Sequence, residues 1–139
     1  MGGSLMAYGT ANVDVVQSST AGVPPQFNDG NGTQTGTLCR AWVNFNGVTT
    51  ATIRASFNVS SVTRNGTGDY TVNFTNAMPD GNYVASLTGK IADTGSSDGR
   101  WTVSPGTTAV QTGSFRLYVT NAANSVVLDA FTNNVAVFR

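Results

Sequence analysis

The chain has 139 residues, with seven basic and seven acidic side chains, a formal net charge of zero and no histidine. That length suffices for one domain with a sizeable core. The balanced charge and lack of a basic cluster argue against a nucleic-acid binder, and no apolar run approaches the roughly 20 residues of a membrane-spanning helix.

Only 10% of the residues are charged, against about 25% in ordinary soluble domains. Surface polarity comes instead from Thr, Asn, Ser and Gly, which together with the β-branched residues favour strands and turns over helices.

Met1-Gly2-Gly3-Ser4-Leu5 reads as an added leader with Met6 as the natural start, with a natural start at Met1 as the alternative. No charged segment followed by an apolar one marks a secretory signal. Val13-Asp14-Val15-Val16 predicts a short strand. Residues 18–37 are rich in Ser, Thr, Gly, Asn and Pro, and Pro24-Pro25 imposes an extended conformation. A loose stretch of that length is uncommon inside a compact domain. Residues 1–37 are therefore read as a leader and an extended arm that lies on a neighbour, with a disordered terminus as the equal alternative. Residues 38–139 are read as the folded domain.

From residue 38 the alternation is that of half-buried strands. Cys39, Ala41, Val43 and Phe45 share one face, and Arg40, Trp42, Asn44 and Asn46 the other. Ala51, Ile53, Ala55, Phe57 and Val59 form the next apolar series. Asn65-Gly66 predicts a hairpin, with Thr67-Gly68 extending it to a four- to six-residue loop. Tyr70, Val72 and Phe74 alternate with Thr71, Asn73 and Thr75, and Met78-Pro79-Asp80-Gly81 reads as a reverse turn. Tyr83, Ala85 and Leu87 share a face. Residues 93–98 form a polar loop, residues 101–103 a short strand, and Pro105-Gly106 its end. Phe115, Leu117 and Val119 alternate with Arg116, Tyr118 and Thr120, and strands at 126–131 and 135–138 complete the set. Eight or nine short strands with one polar face predict an all-β fold, an antiparallel, jelly-roll-like β-sandwich.

The residue inventory narrows the chemistry. Without histidine, Ser-His-Asp and Cys-His arrangements are impossible and zinc sites of the common nitrogen–sulfur type lack ligands. The single cysteine, Cys39, has no intrachain partner and reads as a small buried apolar residue. The aspartates at 29, 80, 93 and 98 fall in turns, where Asp ordinarily caps the backbone. A calcium site from Asp93, Ser96 and Asp98 is outweighed by a solvated turn. The reading is therefore no catalytic residue, no metal and no cofactor.

Trp42, on a face with Arg40 and Asn44, points to a subunit interface or to cover on both faces, ahead of a sugar-stacking site. Tyr118, beside Arg116, has the same profile. Trp101, beside Arg100, is the candidate for an exposed contact, although a satellite core position anchoring the loop outweighs it.

Two segments, PPQFNDGNGTQTGTLCRAWVNFNG at residues 24–47 and NGTGDYTVNFTNAMPD at 65–80, resemble segments found near the end of bacteriophage tail-fibre and virion appendage proteins. The ending VAVFR at 135–139 resembles the terminal strand of such domains. The resemblance covers residues 24–82 most clearly, and residues 90–124 match nothing in that family. It implies a non-enzymatic structural protein at the virion surface, usually a homotrimer, whose partners are other virion proteins and a host surface glycan or protein. It does not imply nucleic-acid binding or membrane insertion. The resemblance makes the strands at 38–46 and 69–75 scaffold and identifies no binding residue; from the strand faces alone, Trp42, Arg40 and Asn44 are expected at the subunit interface. Host contact would fall to the loops at 93–101 and 105–113 and to Arg100, Trp101 and Tyr118. Tail fibres are usually long, so this short chain reads either as a fragment of one or as a stand-alone subunit, which keeps open a capsid decoration (cement) protein anchored through its N-terminal arm. A depolymerase fares worst on the residue inventory.

Overall fold

The computed structural model describes residues 13–17, 19–20, 27–28, 35–36, 39–91, 99–104, 108–121 and 126–139. The chain divides into two compact units, Met1–Gly36 and Thr37–Arg139. In the first, β1 (Phe27–Asn28) pairs antiparallel with β2 (Thr35–Gly36). Residues 13–16, expected as a strand, are exposed and carry no strand. Most of the expected arm, including Pro24-Pro25, lies outside the described residues.

The second unit holds eight strands: β3 (Cys39–Asn46), β4 (Thr52–Phe57), β5 (Val59–Gly66), β6 (Asp69–Phe74), β7 (Val84–Lys90), β8 (Gly99–Val103), β9 (Ser114–Asn121) and β10 (Thr132–Phe138). They form two antiparallel four-stranded sheets, ordered β4-β3-β10-β7 and β5-β6-β9-β8. The sheets pack face to face as a sandwich. The pairs β3–β4, β5–β6 and β8–β9 are hairpins within one sheet, and the first long strand lies beside the last. The jelly-roll detail is not carried by this order.

The predicted inward residues fill the space between the sheets. Ala41, Val43 and Phe45 of β3 and Val135 and Val137 of β10 face Tyr70, Val72 and Phe74 of β6 and Phe115, Leu117 and Val119 of β9, all buried. Phe45 meets the Tyr70 ring edge-on at 5.2 Å, and Tyr83 does the same with Phe74 and Phe115. Each large side chain so buried contributes about 1.5–3 kcal/mol.

Three local features depart from simple alternation. In the β3–β4 pair Asn44 faces Ala55 and Phe45 faces Ile53, leaving Arg54 bulged. The bulge flips the parity of β4: Ile53 packs on the core, whereas Ala55 and Phe57 are exposed. The expected single apolar face from Ala51 to Val59 is thereby corrected, since Val59 already belongs to the other sheet. The chain changes sheets at Asn58, whose φ of 55° suits the left-handed tolerance of asparagine. Its amide donates to the carbonyls of Arg40 and Asn76 and accepts from the Asn76 N–H.

The hairpin between β5 and β6 turns at Thr67-Gly68, with Gly68 at φ 62°, and not at Asn65-Gly66. Asn65 is a bulge whose side chain bonds Asp69 and Thr71. Residues 126–131 are also not a strand. Apart from one bridge at Val127, they run irregularly between β9 and β10, held by bonds such as Leu128 N–H to Val119 C=O and Phe131 N–H to Ile91 C=O.

Candidate functional site

One end of the sandwich is tied by a polar cluster. Asp129, on the irregular link into β10, accepts from Arg64 at 2.8 and 3.1 Å, from the Gly68 N–H at 2.8 Å and from the Tyr70 hydroxyl at 2.7 Å. The same hydroxyl lies 3.1 Å from the Gly47 carbonyl. Gly47 is required there, because an added Cβ would collide with the Tyr70 hydroxyl. The cluster therefore joins four chain segments from both sheets.

The outer face of the second sheet is polar across its width. Ser61 and Thr63 of β5 accept from Asn73 of β6, and Asp69 takes a bidentate ion pair from Arg116 of β9 at 2.6 and 2.9 Å. The Arg116 guanidinium also lies 5.7 Å from the Tyr118 ring centre. On β8, Thr102 is opposite Tyr118 and Arg100 opposite Thr120, so Arg100 and Tyr118 are diagonal neighbours on this face.

Trp101 is not with them. It pairs with Val119 and points inward, packs on the core, and donates its indole N–H to Asn133 Oδ1 at 2.9 Å. Its ring lies over Gly89 and Gly99, where an added Cβ would meet the indole. The expectation of an exposed contact at Trp101 is corrected accordingly: the residue holds the satellite core position. The loop aspartates Asp93 and Asp98, with Ser96, lie outside the described residues, as does Pro105-Gly106.

The outer face of the first sheet differs in kind. Trp42 lies between Phe57 of β4 and Ala136 of β10, and Phe138 lies opposite Val84 of β7. Trp42, Phe57, Val84 and Phe138 are all exposed. Next to them Asn44 donates to Asn134, and Asn134 to Thr88. Arg40, half-buried, is bulged against β10 beside this face. The expected interface residues Trp42 and Asn44 thus share one surface. Phe57, Val84 and Phe138 were missed there. Strand parity gave a signal for Val84, opposite in phase to Tyr83 and Ala85, but none for Phe57, which depends on the Arg54 bulge.

The described aspartates of the sandwich are each committed to an arginine. The hydrogen bond from Arg116 holds the Asp69 carboxyl below the usual range. Burial pushes Asp129 up, but Arg64, the Gly68 N–H and Tyr70 outweigh it and hold it low. Arg139, with help from the Asn82 N–H, draws Asp80 down to about 2. None is poised as a general acid near neutral pH. Among the described residues no three His, Cys, Asp or Glu side chains converge as metal ligands, and no helix is long and apolar enough to cross a membrane.

These shifts set the pH dependence of stability. A carboxyl with a depressed folded value contributes stability that is in place above its unfolded value, near 4, and is lost as pH falls through the folded one. Burial pushes the Tyr70 and Tyr83 hydroxyls up, Tyr83 to about 12. Their contribution is in place below about 10 and is lost as pH rises through the folded values. With no histidine to titrate, the thermal midpoint should be flat from about pH 5 to 9 and fall on both sides. A step near pH 6.5 in a melting series would contradict this.

Comparison with protein-family models, with curated proteins and with solved structures returned no match.

Proposed function

We propose that the chain is a structural protein of a bacteriophage virion, a tail-fibre tip or appendage domain that binds the host surface as a homo-oligomer. The reading is carried by the two segments at 24–47 and 65–80 that resemble such proteins. The described acidic groups support it by their chemistry: each one in the sandwich neutralises an arginine, which suits a scaffold that binds without reacting. Host contact is assigned to the outer face of the second sheet at Arg100 and Tyr118, where a cation and an aromatic ring adjoin a row of hydroxyl and amide groups. Trp101 drops out of the contact set. Weak binding at each copy is multiplied by the number of copies on the particle.

The test has two parts. An antibody against the chain should label the tail or its appendages in electron micrographs of the encoding phage. Labelling spread over the head would select the capsid-decoration alternative, and no labelling would remove the virion reading. In cell-binding assays, the folded Arg100→Ala/Tyr118→Ala variant should adsorb at least about tenfold less well. Unchanged adsorption would remove this face as the contact.

A further inference from the structure

We propose that the outer face of the first sheet docks on an anionic lipid bilayer, lying at its surface without crossing it. On the second sheet the outward groups satisfy one another: Asn73 bonds Ser61 and Thr63, and Asp69 neutralises Arg116. On the first, Trp42 is 40% exposed, Phe57 55%, Val84 68% and Phe138 40%. Trp42 and Phe57 are directly opposed, as are Phe138 and Val84, and Phe138 is a diagonal neighbour of Trp42 across β3 and β10. These four side chains therefore form one patch. Exposed apolar patches rimmed by polar groups mark protein or membrane contacts, and tryptophan is enriched where a bilayer meets water.

The charge of the face selects between the two. Among the described residues, the charged side chains on or beside it are all basic. Arg54, in the bulge, reaches across β3 to the Thr132 hydroxyl and the Phe131 carbonyl, both neutral acceptors, and no described carboxylate neutralises it. Lys90 lies opposite Thr132, and Arg40 is bulged at the other end of the face. The described aspartates of the sandwich are elsewhere and committed: Asp69 on the opposite face, Asp129 in the end cluster and Asp80 in the turn before β7, each with an arginine. A second copy of the face would bring only further positive charge to it. An acidic protein or polysaccharide would answer the basic groups and leave the four apolar side chains without a role. An anionic bilayer answers both, and each Lys or Arg near such a surface strengthens binding by about fivefold.

The order of the groups along the strands fits that surface. The apolar end holds Trp42, Phe57, Phe138 and Val84. Two residues along from Trp42, Asn44, Asn134 and Thr88 form a row of hydrogen-bonded amides and a hydroxyl. Two further again, Thr132, Lys90 and Arg54 form the basic row. Four residues of strand separate the Trp42 row from the basic row, roughly 13 Å at 3.3 Å each. Surface-bound elements bury their apolar side about 5–10 Å into the boundary between headgroups and acyl chains. A sheet that enters by its Trp42 end then holds its basic row at the level of the headgroups, where the negative charge is. Arg40, at the apolar end, has a stem long enough to return its charge to that level. The Arg54 bulge serves both ends: it turns Phe57 outward and sets a cation on the same face.

The proposal does not rest on the virion reading, and its test uses neither cells nor particles. The full chain should co-sediment with phosphatidylglycerol vesicles, half-maximally at about 0.1–1 mM lipid in low salt, and at least about tenfold less well with phosphatidylcholine vesicles. The Trp42→Asn/Phe57→Asn variant should bind phosphatidylglycerol vesicles at least about tenfold more weakly, and Arg54→Gln about fivefold more weakly, each with an unchanged far-UV spectrum. Thr63→Asn, on the other sheet's outer face, should bind like the wild type.

A measurement on the unaltered protein guards against a variant that fails to fold. The chain has two tryptophans, and Trp101 packs on the core. The emission of Trp42 should therefore shift to the blue on binding and be quenched by phosphatidylglycerol brominated in its acyl chains. Equal binding to both kinds of vesicle, binding that survives the double substitution, or emission indifferent to brominated lipid would each overturn the proposal. A blue shift with soluble polyaspartate but not with vesicles would assign the face to an acidic protein. Shielding of Trp42 that grows with protein concentration in the absence of lipid would assign it to a second copy. Either result overturns the bilayer as its partner.

Discussion

Trp101→Ala should destabilise the sandwich by about 3–5 kcal/mol, the range for removing a large packed aromatic. For a domain of this size that corresponds to a fall in thermal midpoint of roughly 10–20 °C, read by far-UV circular dichroism. Two losses combine. The indole packs between the sheets over Gly89, Gly99 and Ile91, and no neighbouring side chain replaces its volume. Its N–H is also the donor to Asn133 Oδ1, and Asn133 is fully buried. Without the indole that oxygen has no other donor among the described residues, which by itself costs about 1–3 kcal/mol. The other end of the Asn133 amide remains satisfied by the Ala130 carbonyl. Trp101→Phe separates the two losses: it restores much of the packing but not the hydrogen bond, and should remain about 1–2 kcal/mol below the wild type. A wild-type midpoint in Trp101→Ala would return this residue to the surface. Loss of cell binding in Trp101→Ala would therefore report unfolding before it reported recognition.

What the sequence made legible follows from what alternation encodes. Period-two patterning in β3, β6 and β9 placed Val43, Phe45, Tyr70, Val72, Phe115 and Leu117 in the core, and all are buried. Alternation fixes which residues share a face but not which face is inward when both are mixed. In β8 the string Arg100-Trp101-Thr102-Val103 offers an apolar series on the Trp101 side, but it is too short to decide. The decision comes from Gly89 and Asn133, far away in sequence, which supply the space and the acceptor. Bulges are illegible for a related reason. Nothing in Thr52-Ile53-Arg54-Ala55 announces an extra residue, because the extra residue is defined by the partner strand, and a single bulge reassigns Phe57 from core to surface. The Asp129 cluster was hidden too. Its members at 47, 64, 68, 70 and 129 are brought together only by the closing of the sandwich, and the apolar run Val126-Val127-Leu128 ahead of β10 imitates a strand.

Asp129→Ala should cost about 3 kcal/mol, after Trp101→Ala the largest effect expected of a single substitution here. The carboxylate side chain is 17% exposed, so water replaces little of what it loses. The Gly68 N–H would be left without its acceptor, Arg64 without its counter-charge, and the buried Tyr70 hydroxyl with only the Gly47 carbonyl. Asp129→Asn keeps one acceptor oxygen but not the charge, and should fall between alanine and the wild type. Tyr70→Phe removes one hydroxyl while the carboxylate keeps Arg64 and Gly68, and should cost only about 1 kcal/mol. The double variant decides whether the cluster acts as a unit. Residues within one network couple by about 0.5–3 kcal/mol, so Asp129→Ala/Tyr70→Phe should be less destabilised than the two single losses added together. Strict additivity in urea titrations would mean that the hydroxyl works through Gly47 alone. The cluster would then be two independent fastenings of one loop and one hairpin, not a single clamp joining the two sheets at this end.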